Sequence, residues 1–200
     1  QSYFLEYAMN NPEGMHWGDA VFALAEISEQ LDRGPSALKY YQNLIARPGL
    51  ESMNRQALER MAEIYSSMGS YNDSRKIYLQ LAENETDTRK KAEYRSEAMI
   101  ALYRLGEFDT ARKEAVNFTR DYRNLEEWDN YQAAFFLEKG KYLAGQKNFK
   151  EAEDALETVV GRYKRTSAAP EAEYEIGKIY LITGESEKAL DVLTEMPEKY

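Results

Sequence analysis

The sequence predicts an all-α fold, a solenoid of about five antiparallel helix hairpins. Three observations predict it. Small residues recur at Ala37, Ser74, Ala111, Ala152 and Ala189, at intervals of 37, 37, 41 and 37 residues. Each is followed by matching neighbours four and seven positions on: Tyr41 and Leu44, Tyr78 and Leu81, Ala115 and Phe118, Leu156 and Val159, Leu193 and Met196. A second apolar series stands about twelve residues ahead of each small residue, with a short polar turn between the two.

The elements follow in order. The upstream series reads Leu24-Ala25, Met61-Ala62-Tyr65, Met99-Leu102, Gly140-Leu143 and Ile176-Gly177-Tyr180. Apolar residues at three- and four-residue spacing on both sides of each turn indicate amphipathic helices. The turns include Met68-Gly69-Ser70-Tyr71, Leu105-Gly106-Glu107-Phe108, Gln146-Lys147-Asn148-Phe149 and Thr183-Gly184-Glu185-Ser186. Their Gly or Asn is expected to take the left-handed conformation that ends a helix. Each unit is therefore helix A, tight turn, helix B. Small residues at the crossing, such as Gly177 or Ala62 against Ala189 or Ser74, allow close approach of the two helices. One hairpin cannot bury its apolar face alone, so each must stack on the next.

This register gives one array over residues 1–200, with repeats at about 18–54, 55–91, 92–132, 133–169 and 170–200. Residues 1–17 read as the tail of a preceding repeat plus a linker, because Phe4 and Tyr7 lie one interval before Tyr41 and Leu44. The 41-residue interval holds four extra residues near 123–131. Either helix A of the fourth unit starts early or a loop projects there, and a change in superhelical pitch is expected. The first turn, Asp32-Arg33-Gly34-Pro35, has its Gly displaced, so an irregular first hairpin is expected. Both ends read as cut from a longer array, with Tyr3, Phe4, Met196 and Tyr200 as contacts for self-association.

The run from Pro170 through Tyr174, Gly177, Tyr180, Gly184 and Ala189 to Leu190 resembles a tetratricopeptide repeat. The resemblance extends over nearly the whole chain, strongest in the fifth unit and loosest in the first and third. The period departs from the usual ~34 residues of that family. The resemblance implies a right-handed superhelix whose A helices face a concave groove. In the register above, the groove candidates are Phe22, Glu26, Arg60, Glu63, Glu97, Ile100, Glu138, Lys141, Tyr174 and Lys178, with Glu59, Ser96, Leu137 and Glu175 at neighbouring positions. Family members that grip acidic chaperone tails use Lys, Asn and Arg at such places. Here Glu26, Glu63 and Glu97 stand there, so chaperone-tail binding is not expected. A peptide with a basic or polar segment and an apolar anchor is expected instead.

Composition bounds the chemistry. The chain of 200 residues has a net charge of −9, so a nucleic-acid backbone would be repelled. It has no cysteine, which removes disulfides and thiolate metal sites. His16 is the lone histidine, so a Ser-His type triad or a two-histidine zinc site cannot form. No apolar run is long enough to span a membrane. No phosphate-cradling glycine motif occurs. The 35 Asp and Glu read as solvated helix faces rather than acid–base pairs. Asn84-Glu85-Thr86-Asp87 resembles half a calcium loop but lacks its Gly and closing Glu, and reads as a cap for the next helix.

The expected function is thus a non-catalytic scaffold that binds a protein or peptide, with no catalytic residues, metal or cofactor. A self-stacking structural module and the recognition arm of a larger enzyme are the alternatives. The Tyr-rich units, with links such as 161–172, resemble bacterial cell-envelope members of the family. A periplasmic or outer-membrane-associated setting is expected on that ground, with the cytoplasm as the alternative.

Overall fold

The computed structural model describes residues 2–199, without the side chains of Ser2, Pro197 and Glu198. Gln1 and Tyr200 lie outside the described residues, and with Tyr200 goes one expected contact of the chain end. The described residues form eleven helices: α1 (Ser2–Asn10), α2 (Trp17–Gln30), α3 (Gly34–Ile45), α4 (Glu51–Ser67), α5 (Tyr71–Asn84), α6 (Thr88–Leu105), α7 (Phe108–Tyr122), α8 (Trp128–Gly145), α9 (Phe149–Arg162), α10 (Ala168–Thr183) and α11 (Ser186–Lys199). No strand occurs among them. The helices divide into two compact units, Gln1–Ala98 and Met99–Tyr200, and the division falls inside α6.

In the first unit α2 packs on α3, α3 on α4 and α4 on α5, with α1 against α2. Its core is the predicted series: Ala37, Tyr41 and Leu44 on α3, Ala57 and Ala62 on α4, Tyr78 and Leu81 on α5, and Tyr94 on α6 are all buried. In the second unit α8 pairs with α9 and α10 with α11, while α10 also packs on α8 and α9. There Ala152, Leu156 and Val159 of α9 meet Ala133 and Leu137 of α8 and Ala169 and Ala172 of α10. Full burial of a side chain such as Leu156 is worth about 1.5–3 kcal/mol relative to exposure.

All five hairpin turns are built the same way. A left-handed residue follows helix A at Asp32 (φ 54°), Gly69 (77°), Gly106 (74°), Lys147 (62°) and Gly184 (85°). The next residue's N–H then reaches back five positions: Arg33 to Ser28 and Ser70 to Tyr65 at 2.8 Å, Glu107 to Leu102 and Asn148 to Leu143 at 2.9 Å, Glu185 to Tyr180 at 2.8 Å. This is the Schellman closure, which satisfies the last carbonyls of the helix. Two expectations are corrected here. The first hairpin is regular, because Asp32 and not Gly34 supplies the left-handed residue. In the fourth unit Lys147, not Asn148, does so.

The turn also fixes the small-residue series. Ala37, Ser74, Ala111, Ala152 and Ala189 each donate the first i→i−4 bond of helix B, to Arg33, Ser70, Glu107, Asn148 and Glu185. All five are buried. The glycines of helix A face not these residues alone but the large residue one turn on. A Cβ on Gly140 would lie 2.5 Å from Leu156 Cγ, and one on Gly177 would lie 2.7 Å from Leu193 Cδ2.

The extra residues before the fourth unit go into helix. The link from α7 to α8 is residues 123–127, as long as the links at 46–50 and 163–167. By contrast α7 and α8 have 15 and 18 residues, against 14 and 16 in α9 and α10. Of the two alternatives, the lengthened helix holds and no long loop projects.

Candidate functional site: the A-helix faces

The A helices are α2, α4, α6, α8 and α10. In the first unit their charged side chains are joined between successive helices. Glu29 of α2 accepts a hydrogen bond from the Tyr41 hydroxyl at 2.6 Å and from Arg60 of α4, whose Nε lies 3.3 Å away. Arg60 also holds Glu63 at 2.6 Å. Glu59 accepts the Tyr94 hydroxyl, and the Lys90 amine lies 3.7 Å from it. Burial and then the bond to Glu29 push the Tyr41 hydroxyl well above the usual phenol range. Burial, followed by Glu59, does the same for Tyr94.

The second unit carries a longer chain of pairs. Arg104 of α6 forks onto Glu138 of α8, Nε to Oε2 at 2.9 Å and Nη2 to Oε1 at 3.1 Å. Lys141, one turn along α8, lies 3.4 Å from Glu138 and 2.8 Å from Glu171 of α10. On α10, Lys178 bonds Glu175 at 2.8 Å and sits 5.5 Å from the Tyr174 ring centre. Burial works to raise the Glu138 carboxyl, but the bond and charge of Arg104, then those of Lys141, outweigh it and hold it below the ordinary carboxylate value. For Lys141 burial acts to lower the amine, yet Glu171 and Glu138 leave it raised.

The candidates therefore sort by surroundings. Glu26, Glu63, Arg60 and Tyr174 are exposed, while Phe22, Glu97, Lys141 and Lys178 are half-buried. Phe22 packs edge-on to Tyr41, ring centres 5.3 Å apart. Ile100 and Glu138, expected to line the groove, are buried, as are the neighbouring Ser96 and Leu137. The cause is helix geometry: the face pointing out of one A helix overlaps the face that packs on the next, so a fixed offset from the crossing residue drifts into the core where helices are longest.

The reading from sequence missed Glu29, Arg104 and Glu171, the partners that neutralise three of the candidates. Opposite charges 31, 34 and 30 residues apart, slightly less than one period, were the available signal.

Between α8 and α10 lies an open cleft of about 330 Å³. Ala144, Ile179 and Ile182 give it apolar walls, and Lys141, Lys178 and Glu175 ring it. No group of three or more His, Asp or Glu suited to a metal ion occurs among the described residues. His16 is exposed, with Nδ1 3.1 Å from Asp19. Glu85 accepts the N–H groups of Thr86 and Asp87 at 2.7 and 2.9 Å, and Asp87 caps Lys90 N–H at 2.8 Å, so this segment builds a helix start. No helix among the described residues is long and apolar enough to cross a membrane.

A family model described as the tetratricopeptide repeat matches residues 137–200, the two hairpins whose turns centre on Lys147 and Gly184. Residues 137–200 are therefore tetratricopeptide repeats. Among solved structures, the whole chain is similar in fold to the crystal structure of MamA, with 16% identity over 88% of this chain and 94% of that one, and a TM-score of 0.50. A second MamA structure gives 15% identity, 92% coverage of both chains and a TM-score of 0.52. The nearly identical TPR-like repeats of Podosopora anserina give 14%, 94% and 96% coverage, and 0.51. At these identities the likeness is one of fold. No curated protein matches the sequence significantly. The tetratricopeptide fold is that of a protein-interaction scaffold, and repeats of this kind are generally non-catalytic.

Proposed function

We propose that this chain is a non-catalytic scaffold that holds a peptide or partner protein on the A-helix faces of its units. One observation carries the reading: the cleft between α8 and α10 is apolar at its walls, charged at its rim and large enough for an anchoring side chain. The exposed Tyr174 stands beside the rim lysine Lys178, and tyrosine suits an interface that is apolar in body and wet at the tip. In the first unit the exposed carboxylates Glu26 and Glu63 favour a basic or polar segment of the ligand. Binding is by presentation of a preformed surface, so no bond is made or broken.

The test has two arms on a partner recovered with the wild-type chain. Ile182→Glu places a charge in the cleft, and Glu63→Lys with Glu97→Lys reverses the acidic face. Each is expected to weaken binding roughly tenfold, the equivalent of ~1.4 kcal/mol. Undiminished affinity in both would refute the assignment.

A second reading, self-stacking, has one observation in its favour. Leu181, Ile182 and Leu190 of the last hairpin are 55%, 66% and 64% exposed. Light scattering across concentration separates the two readings: a rising mass favours assembly, a constant one favours ligand binding. For location we propose the bacterial periplasm or outer membrane surface, and cell fractionation tests it.

A further inference from the structure

The second unit holds another recess, on the far side of α8 from the cleft. At about 100° per residue, Gln132 and Lys139 stand almost above one another on α8, while Lys141 lies about half a turn round. The recess is about 180 Å³, and α7 forms its other wall through Phe108, Arg112 and Ala115. That volume is below the ~300–1,000 Å³ of small-molecule sites and matches one large side chain.

Aromatic rings form its body. Tyr103 stacks on Phe135 with centres 5.6 Å apart and leans on Phe108 at 6.1 Å. Phe136 completes the lining. Burial raises the Tyr103 hydroxyl above its ordinary range, with Arg112 acting against it, so the hydroxyl stays protonated near neutral pH. Such walls favour another ring, through stacked or edge-on contact.

Its charge sets it apart from the paired cations of the A-helix faces. The lining has two cations, Arg112 and Lys139, and no carboxylate. On the A-helix faces, Arg60, Arg104, Lys141 and Lys178 each have a carboxylate within 3 Å. Among the described residues Arg112 has one ion pair, with Asp109 at 3.8 Å and both side chains more than four-fifths exposed, a pair of little worth in water. Lys139 lies 5.8 Å from the Phe108 ring centre and makes no ion pair among the described residues. In a chain of net charge −9, this is a local cationic rim around an aromatic recess.

We infer that this recess takes one aromatic side chain from an acidic segment of a partner protein, with Arg112 and Lys139 receiving the carboxylates beside it. A single-stranded nucleic acid offers the same pairing of ring and anion, but the net negative charge of the protein repels a continuous phosphate backbone. The site is independent of the A-helix cleft, so either can fail alone.

The test uses a fluorescein-labelled peptide with one Phe between two pairs of Asp, followed by fluorescence anisotropy. Saturable binding is expected, weakened roughly tenfold by Phe→Ala in the peptide, by Lys139→Glu, and by Ala115→Trp, which fills the recess. Rising salt should weaken it further, and Ile182→Glu, in the other cleft, should leave it unchanged. Arg112→Glu, at an exposed site, carries the test if the Trp variant does not fold. Absence of saturable binding, equal binding of the Phe and Ala peptides, or tighter binding of a hexanucleotide would overturn the proposal.

Discussion

Arg104 grips Glu138 through two nitrogens, at 2.9 and 3.1 Å, and so ties the end of α6 to the middle of α8. Glu138 is buried and shares its carboxylate with Lys141, which continues to Glu171. The pairs thus join successive A helices of the second unit where their apolar contact gives way to solvent.

Removing one partner should cost more than the pair contributes. Arg104→Met leaves a buried carboxylate with only Lys141, and about 2–3 kcal/mol of stability should be lost. Urea unfolding measures this, and a loss under about 0.5 kcal/mol, the ordinary scatter of surface changes, would show the pair to be idle.

The same site predicts a pH dependence. The folded Glu138 carboxyl titrates below the ordinary value of 4.5. Its contribution is therefore complete above that value and is lost as pH falls through the lower, folded one. Glu138→Gln should flatten the acid limb of the stability profile below pH 4.5, and an unchanged limb would contradict the assignment.

The turns make a graded prediction. A Cβ at Gly69 or Gly184 meets no atom within 4 Å, so Ala there pays only for its left-handed backbone, about 1–2 kcal/mol. At Gly106 the Cβ would also lie 2.3 Å from the Tyr142 ring. Thermal melts should rank Gly106→Ala below the other two. Conversely Lys147→Gly should stabilise, because Lys147 holds φ at 62° without need of its side chain.

At the crossings, Gly140→Ala should destabilise by about 1–3 kcal/mol through overpacking against Leu156. Gly177→Ala should cost less, because Leu193 is only half-buried and can move, whereas Leu156 is fully buried. Equal melting temperatures for the two variants would refute this difference.

The sequence by itself determined the hairpins and their register. The series from Ala37 to Ala189 recurs because each small residue opens helix B one Schellman turn after helix A, and that geometry repeats with the chain. The family resemblance of the last units was legible for the same reason: local periodicity and turn chemistry write themselves into neighbouring residues. Less local features were decided by tertiary structure. That Asp32 and Lys147 would adopt the glycine conformation follows from closure of the turn, which outweighs a cost small enough for a single residue to bear. That Ile100 and Glu138 would be buried depends on how far one A helix overlaps the next. The charge ladder and both recesses depend on residues 30 or so apart meeting across packed helices, and only the packing distance selects which opposite charges meet and which cations, like Lys139, keep an open side.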